Sequence, residues 1–261
     1  MATVICLSNE KGGVGKSVTA ASLGFGLARH NKKVLLIDAD PQSSLTISLG
    51  NHQPDKLPVT LSNVIGDILT DKDFDTTAGI VYHEEGVDLM PANISLANME
   101  LSLASTLVGR ETVLRQYIEM VRTAYQYIIL DTSPSLGLLT INALAASDQV
   151  IIPVVPKYLD VKGLELLLRT IARIRKQINP HLEIKGILLT MVDRRMNFTR
   201  EIIDMIETAY GGNINIFKES IPLSVRAAET SREGKSIYAY DPNGKVAAAY
   251  EAFVKGVLEV A

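Results

Sequence analysis

The sequence predicts an α/β fold, a doubly wound and mostly parallel sheet with helices on both faces, and three observations carry that expectation. Short apolar runs of strand length alternate with longer helix-period segments along the 261 residues, the pattern of parallel strands joined by crossover helices. The first run, Val4-Ile5-Cys6-Leu7, leads into the glycine-rich stretch Asn9-Glu10-Lys11-Gly12-Gly13-Val14-Gly15-Lys16-Ser17, a strand-to-helix turn of the phosphate-cradling kind. No linker or repeat divides the chain, so residues 1–261 are expected to form a single domain.

In chain order, strand-like runs fall near residues 3–8, 34–37, 87–90, 127–130, 149–155 and 184–191, and helix-period segments near 17–29, 96–122, 160–178, 198–210 and 244–258. Asn179-Pro180 stops one helix and Gly211-Gly212 another. The stretch from Gly50 to Gly86, with Pro54 and Pro58, is the least regular. In the helix from Asp160 to Ile178, Val161, Leu164, Leu167, Leu168, Ile171 and Ile174 recur at helical spacing and face the core. Lys162, Glu165, Arg169, Arg173 and Lys176 then share the outer face.

Composition narrows the class. With 47% hydrophobic residues the chain can bury a full core. Its one cysteine, Cys6, excludes an internal disulfide and suits a reducing, cytoplasmic setting. No run of eighteen apolar residues occurs and the sequence opens on a strand, so neither a membrane span nor a signal peptide is expected. The four histidines are scattered without metal-ligand spacing.

The glycine-rich loop carries the chemistry. A strand feeding such a loop and then a helix aims backbone N–H groups and the positive helix end at one anionic point. Gly12, Gly13 and Gly15 are expected to take positive φ and let phosphate approach. Lys16 supplies charge to the outer phosphates and the Ser17 hydroxyl can ligate Mg2+, with Val14 and Val18 in the same nucleotide-binding stretch. Asp40 and Asp131 each follow an apolar run, which puts a carboxylate at the C-terminal strand edge where open α/β sheets bind ligands. A buried aspartate without a counter-ion costs several kcal/mol or takes up a proton, so two at this edge point to a cation-containing site. Asp38, two residues before Asp40, is placed to face the same side.

The form Lys-Gly-Gly-x-Gly-Lys-Ser, with Lys11 and Lys16, resembles the deviant Walker A motif of the ParA/MinD family of P-loop NTPases. Val34 through Gln42 resembles that family's switch I, and Tyr127 through Gly137 its Walker B strand and switch II. Gly186 through Asp193, Ile221-Pro222 through Ala228-Glu229, and Tyr240-Asp241-Pro242 follow in the order of the Soj branch, so nearly the whole chain is covered. Ser17 stands where threonine is usual and Ser133 where proline is common.

The resemblance implies an ATPase that takes ATP and Mg2+ and forms a homodimer with ATP. In it Lys11 reaches the partner subunit's nucleotide, Asp40 positions the attacking water, and Asp131 is an outer-shell magnesium partner. Ile221, Pro222 and Ser224 lie where the family wraps the adenine. It further implies nonspecific double-stranded DNA as a partner, a ParB-like activator protein, and a nucleoid-associated location without a membrane. The family's helix-turn-helix extension has no room before Val4.

Charge distribution suits such a partner. Residues 157–200 hold ten Lys/Arg against four Asp/Glu, a local +6 within a chain of net −3. Arg195 and Arg226 match basic positions of the family pattern and join Lys162, Arg169, Arg173 and Lys176 as candidate DNA contacts. No aromatic residues are interleaved with them, which disfavours stacking on single strands. The alternative reading is a nucleotide-switched positioning factor for a protein assembly, or a MinD-like spatial regulator. The MinD-like form would need a basic amphipathic C-terminal helix, and the chain ends Lys255-Gly256-Val257-Leu258-Glu259-Val260-Ala261.

Overall fold

A computed structural model describes residues 1–259, apart from the side chains of Leu159, Asp160 and Lys162. The expected DNA contact at Lys162 therefore lies outside the described residues. Among those described, the strands are β1 (Thr3–Leu7), β2 (Val34–Ala39), β3 (Val81–His83), β4 (Val87–Met90), β5 (Tyr127–Thr132), β6 (Gln149–Val154) and β7 (Glu183–Leu189). They form one sheet in the order β3-β4-β2-β5-β1-β6-β7. Every pairing is parallel except β3 with β4.

The helices are α1 (Lys16–Arg29), α2 (Ser44–Ser48), α3 (Leu61–Leu69), α4 (Leu96–Ser105), α5 (Val113–Val121), α6 (Leu138–Ala146), α7 (Tyr158–Gln177), α8 (Asn197–Tyr210), α9 (Val225–Glu233), α10 (Ile237–Tyr240) and α11 (Lys245–Glu259). Alternation along the strands sorts the core into two layers. Val4, Cys6, Leu35, Ile37, Ile128 and Leu130 face the layer built with α3 to α8. Ile5, Leu7, Val34, Leu36, Tyr127 and Ile129 face the layer built with α1, α10 and α11. Period-two side-chain direction in a strand buried on both faces requires this division.

Three departures from the sequence reading have physical causes. The helix expected over residues 96–122 is two helices, because the chain turns between α4 and α5 through Gly109 at φ 76°. Apolar periodicity resumes beyond the turn at Val113, Leu114 and Tyr117, which hides the break. Helix α6 is almost uniformly apolar and buried, so it offers no amphipathic stripe to detect. The irregular stretch holds α3, whose first turn is closed by a reciprocal Thr60–Asn63 capping box, and the three-residue antiparallel edge strand β3.

The helix that leaves the phosphate loop is seated tightly. A Cβ on Gly24 would lie 2.7 Å from Leu36 Cδ2, and one on Gly26 would collide with Val254 of α11. These glycines let α1 lie close against both β2 and the last helix. Thr19 Oγ1 and Tyr250 Oη are 3.1 Å apart in the same buried seam.

Candidate nucleotide site

The β1–α1 loop sits at the C-terminal edge of the sheet. There β1 lies between β5 and β6, and connections leave toward opposite sides, the usual ligand crevice of an open α/β sheet. Neighbouring strands hold the loop: Asn9 Nδ2 donates to Pro153 O at 2.7 Å, and Thr190 Oγ1 donates to Val14 O at 2.8 Å. Asn9 Oδ1 accepts the Lys11 N–H at 3.0 Å. Gly13 and Gly15 take φ of 72° and 83°, the left-handed region where a side chain is strained. Gly12 is not among the positive-φ residues. It keeps ordinary backbone geometry beside Pro134, which corrects the expectation for that glycine.

A cavity of about 370 Å³ opens over this loop. Gly12, Gly13, Gly15, Lys16, Ser17 and Val18 form one wall, Asp40, Gln42, Ser44 and Ser48 another, and Pro134, Met191 and Ser231 complete it. Lys16 is 6% exposed, and its ammonium donates to Lys11 O at 3.0 Å, which aims it across the loop. Burial pushes its proton affinity down, while Asp131 and then Asp40 pull it back up. Val14 is buried beneath the loop.

Asp131, the fifth residue of β5, is fully buried, and neither carboxylate oxygen has a hydrogen-bond partner in good geometry. Burial and then the neighbouring Asp38 push its pKa well above the usual carboxylate range, against the nearby Ser17 hydroxyl and Lys16. Asp38 is raised to about 6 by burial, opposed by its hydrogen bonds with Thr46. Asp40 Oδ1 accepts the Gln42 N–H at 2.9 Å. An orphaned buried carboxylate, a serine hydroxyl facing it and a second aspartate on the cavity wall fit a hard divalent cation. No cluster of three His, Cys, Asp or Glu side chains among the described residues could hold a metal alone, so phosphate and water would complete the set, as is usual for Mg2+.

Lys11 lines none of this cavity. With Glu10 it lies over Gly163 of α7, where a Cβ would come within 3.3 Å of Lys11 Cε.

The expected adenine contacts separate. Pro222 lines a second cavity of about 550 Å³ with Val192, Asp193, Arg194, Leu223 and Lys245. Ile221 is corrected to a core position: its side chain is buried, its N–H donates to Leu189 O and its carbonyl accepts from Val192 N. Ser224 precedes α9 and lines neither cavity.

Of the candidate DNA contacts, Arg173 and Lys176 are exposed on α7. Arg169 pairs with Glu165, Arg195 with Asp193 at 2.7 Å and Arg226 with Asp241 at 2.9 Å. The Arg195 guanidinium pulls Asp193 down to about 2. These arginines are thus partly neutralised within the chain, which counting charges along the sequence does not reveal. After β5, the Ser133 and Ser135 hydroxyls share a hydrogen bond of 3.0 Å.

The sequence reading did not assign Gln42, Ser44, Ser48, Pro134, Met191 or Ser231 to the site. Gln42 and Pro134 stand inside segments already singled out. Met191 lies inside the singled-out run Gly186 through Asp193 and is set apart by its backbone, at φ 52°, whereas Ser231 arrives from α9 with no local signal.

Comparison with known proteins places the chain. The AAA domain family matches residues 2–184. The sporulation initiation inhibitor protein Soj of Bacillus subtilis is 41% identical over 98% of this chain and 98% of its own. The chromosome partitioning protein ParA of Caulobacter vibrioides is 35% identical over 98% of this chain and 93% of its own. A crystal structure from Mycobacterium smegmatis, described as a cobyrinic acid a,c-diamide synthase with bound ATP analog and magnesium, superposes with a TM-score of 0.86 at 34% identity, covering 99% of this chain and 95% of that one. With the deviant phosphate loop and the strand-end aspartates in place, the chain belongs to the ParA/Soj-type P-loop ATPases.

Proposed function

We propose that this ATPase is a DNA-partition switch: ATP and Mg2+ drive a homodimer, the dimer coats nonspecific double-stranded DNA, and a ParB-like partner stimulates hydrolysis and release. The observation that carries this reading is the divided placement of two lysines on one loop. Lys16 is buried at the cavity, whereas the Lys11 side chain lies outside it against α7, with only its backbone carbonyl engaged in its own subunit's phosphate site.

Ser17, Asp40 and Asp131 would hold Mg2+, which supplies charge neutralisation on the phosphates when bound. Lys16 holds the outer phosphates. Asp40 orients the attacking water. Lys11 of one subunit stabilises charge on the phosphoryl group bound by the other. On this reading Lys11→Ala retains nucleotide binding, measured with a fluorescent ATP analogue, but loses partner-stimulated phosphate release; normal stimulated hydrolysis would remove the cross-subunit role.

DNA binding would use phosphate contacts from Lys162, Arg169, Arg173, Lys176, Arg195 and Arg226, which carry no sequence information. A random-sequence duplex followed by fluorescence anisotropy, with ATP, with ADP and without nucleotide, at two salt concentrations, tests this. Binding is expected only with ATP, at roughly 10⁻⁴ to 10⁻⁶ M per subunit and weakening steeply with salt. Pairing two subunits raises that affinity. Absence of binding in every state would favour the second reading, a nucleotide-switched positioning factor for a protein assembly. The ion pairs on Arg169, Arg195 and Arg226 speak for that alternative.

A corrinoid amidation, suggested by the description of the M. smegmatis structure, finds no support here. Cys6 is this chain's one thiol. It is buried in β1 and burial pushes its pKa up, so an amidation on this chain would have to draw its ammonia from elsewhere.

A further inference from the structure

A buried chain of hydrogen bonds runs behind the cavity wall that carries Asp40, and Thr46 is at its centre. Thr46 belongs to α2, is fully buried and lines neither cavity. Its hydroxyl donates to Asp38 Oδ2 at 2.7 Å and accepts the Ala92 N–H at 3.0 Å. Its own N–H donates to the same Asp38 oxygen at 2.8 Å. The other carboxylate oxygen, Asp38 Oδ1, accepts the Asp40 N–H at 3.1 Å.

The far end of the chain is also fixed. Pro91 O accepts the Leu61 N–H at 2.8 Å. Asn93 Oδ1 accepts from Thr60 Oγ1 at 3.3 Å and from Ser62 Oγ at 3.2 Å, at the start of α3. The segment after β4 therefore acts as an anchor, Thr46 as the bridge, and Asp38 as the clamp on the Asp40 backbone.

We propose that Thr46 is a positioning residue for ATP hydrolysis, its hydroxyl holding Asp38 and the segment after β4 together so that Asp40 is presented at a fixed place on the cavity wall. This rests on the ATPase reading and on Asp40 as the water-orienting group. The physical basis is satisfaction of buried polar groups. A carboxylate wholly removed from water must have its oxygens met. Loss of the Thr46 oxygen strips a donor from Asp38 and the acceptor from the Ala92 N–H at once. The clamp can then relax only by moving the strand end and the loop that follows it. Displacement of a reacting group by about 1 Å costs on the order of 10²-fold in rate, while phosphate binding by Lys16 and the glycine loop is untouched.

The test compares wild type, Thr46→Val and Thr46→Ser by steady-state ATP hydrolysis and by amide hydrogen exchange without nucleotide. Valine keeps the shape and removes the oxygen; serine keeps the oxygen. Thr46→Val is expected to lose about 10- to 100-fold in kcat with KM for ATP within about twofold, and Thr46→Ser to recover most of that loss. Exchange at Asp40 and Ala92 should accelerate in the valine variant and return in the serine variant. Wild-type kcat in Thr46→Val, or equal damage in both variants, overturns the proposal. If wild type hydrolyses no ATP, the ATPase reading fails, and exchange alone decides the clamp: unchanged protection in Thr46→Val overturns it, faster exchange at both amides supports it. Should Thr46→Val not fold, Thr46→Ala removes the same oxygen without setting a methyl against Asp38 and is read by the same criteria.

Discussion

Lys16→Ala is expected to reduce affinity for ATP by about 10²- to 10³-fold, the equivalent of about 3–4 kcal/mol. Among the described residues lining the loop cavity, Lys16 is the one cationic side chain. It is buried, held at 3.0 Å by Lys11 O, and lies close enough to Asp131 and Asp40 for both to stabilise its charge. A pre-placed ammonium of this kind meets a phosphate without spending side-chain freedom at the moment of binding. Its removal also leaves the carboxyl groups of Asp131 and Asp40 without their nearest cation beside an incoming polyanion. Titration with a fluorescent ATP analogue measures the loss, and an affinity within about threefold of wild type would contradict the role.

The second large effect runs against intuition. In a chelating buffer without nucleotide, Asp131→Asn should be more stable than wild type, by about 1–3 kcal/mol at pH 8. The folded protein raises the pKa of Asp131, so the folded state binds that proton more tightly than the unfolded chain does. Wild-type stability therefore falls as pH rises above the ordinary aspartate value of about 4, and keeps falling until the folded group has ionised. Asparagine does not titrate, so the gap should be small near pH 4 and widen toward pH 8. Magnesium with nucleotide should reverse the order, since the cation compensates the carboxylate only in wild type and a ligand at a hundred times its Kd adds about 2.7 kcal/mol. Urea unfolding at pH 4 and pH 8, with and without Mg-ADP, decides the matter. A variant less stable than wild type at pH 8 in chelator would mean that Asp131 is already compensated within the chain.

What the sequence disclosed and what it hid follow from the range over which each feature is encoded. The phosphate loop is local: glycine spacing, Lys16 and Ser17 lie within nine residues after a strand-like run, so motif and strand reinforce each other. Asp40 and Asp131 stood out because each follows an apolar run, and the structure sets Asp40 on the cavity wall and Asp131 fully buried near the end of β5. Helix α6 was not, since uniform burial erases the periodicity by which helices are recognised. Ile221 was misplaced because motif order locates a segment without saying which side of the backbone faces the site. Ser231 comes from α9, brought beside the loop by packing against α2, and nothing in its neighbours announces that. The ion pairs of Arg195 and Arg226 were invisible for a different reason, as paired and unpaired arginines read alike in a sequence.

The seam between α1 and α11 bears on how the chain comes to exist. The helix that begins with Lys16 is made long before α11, yet its glycine-lined face is filled by Val254 and its Thr19 hydroxyl is met by Tyr250. Strand β1 likewise waits for β5 and β6, more than a hundred residues later. Contacts so distant along the chain form late and slowly. Until β5, β6 and α11 are made, the phosphate-loop sequence therefore has no packed support beneath it, and a chain cut before Val254 is expected to bind no nucleotide.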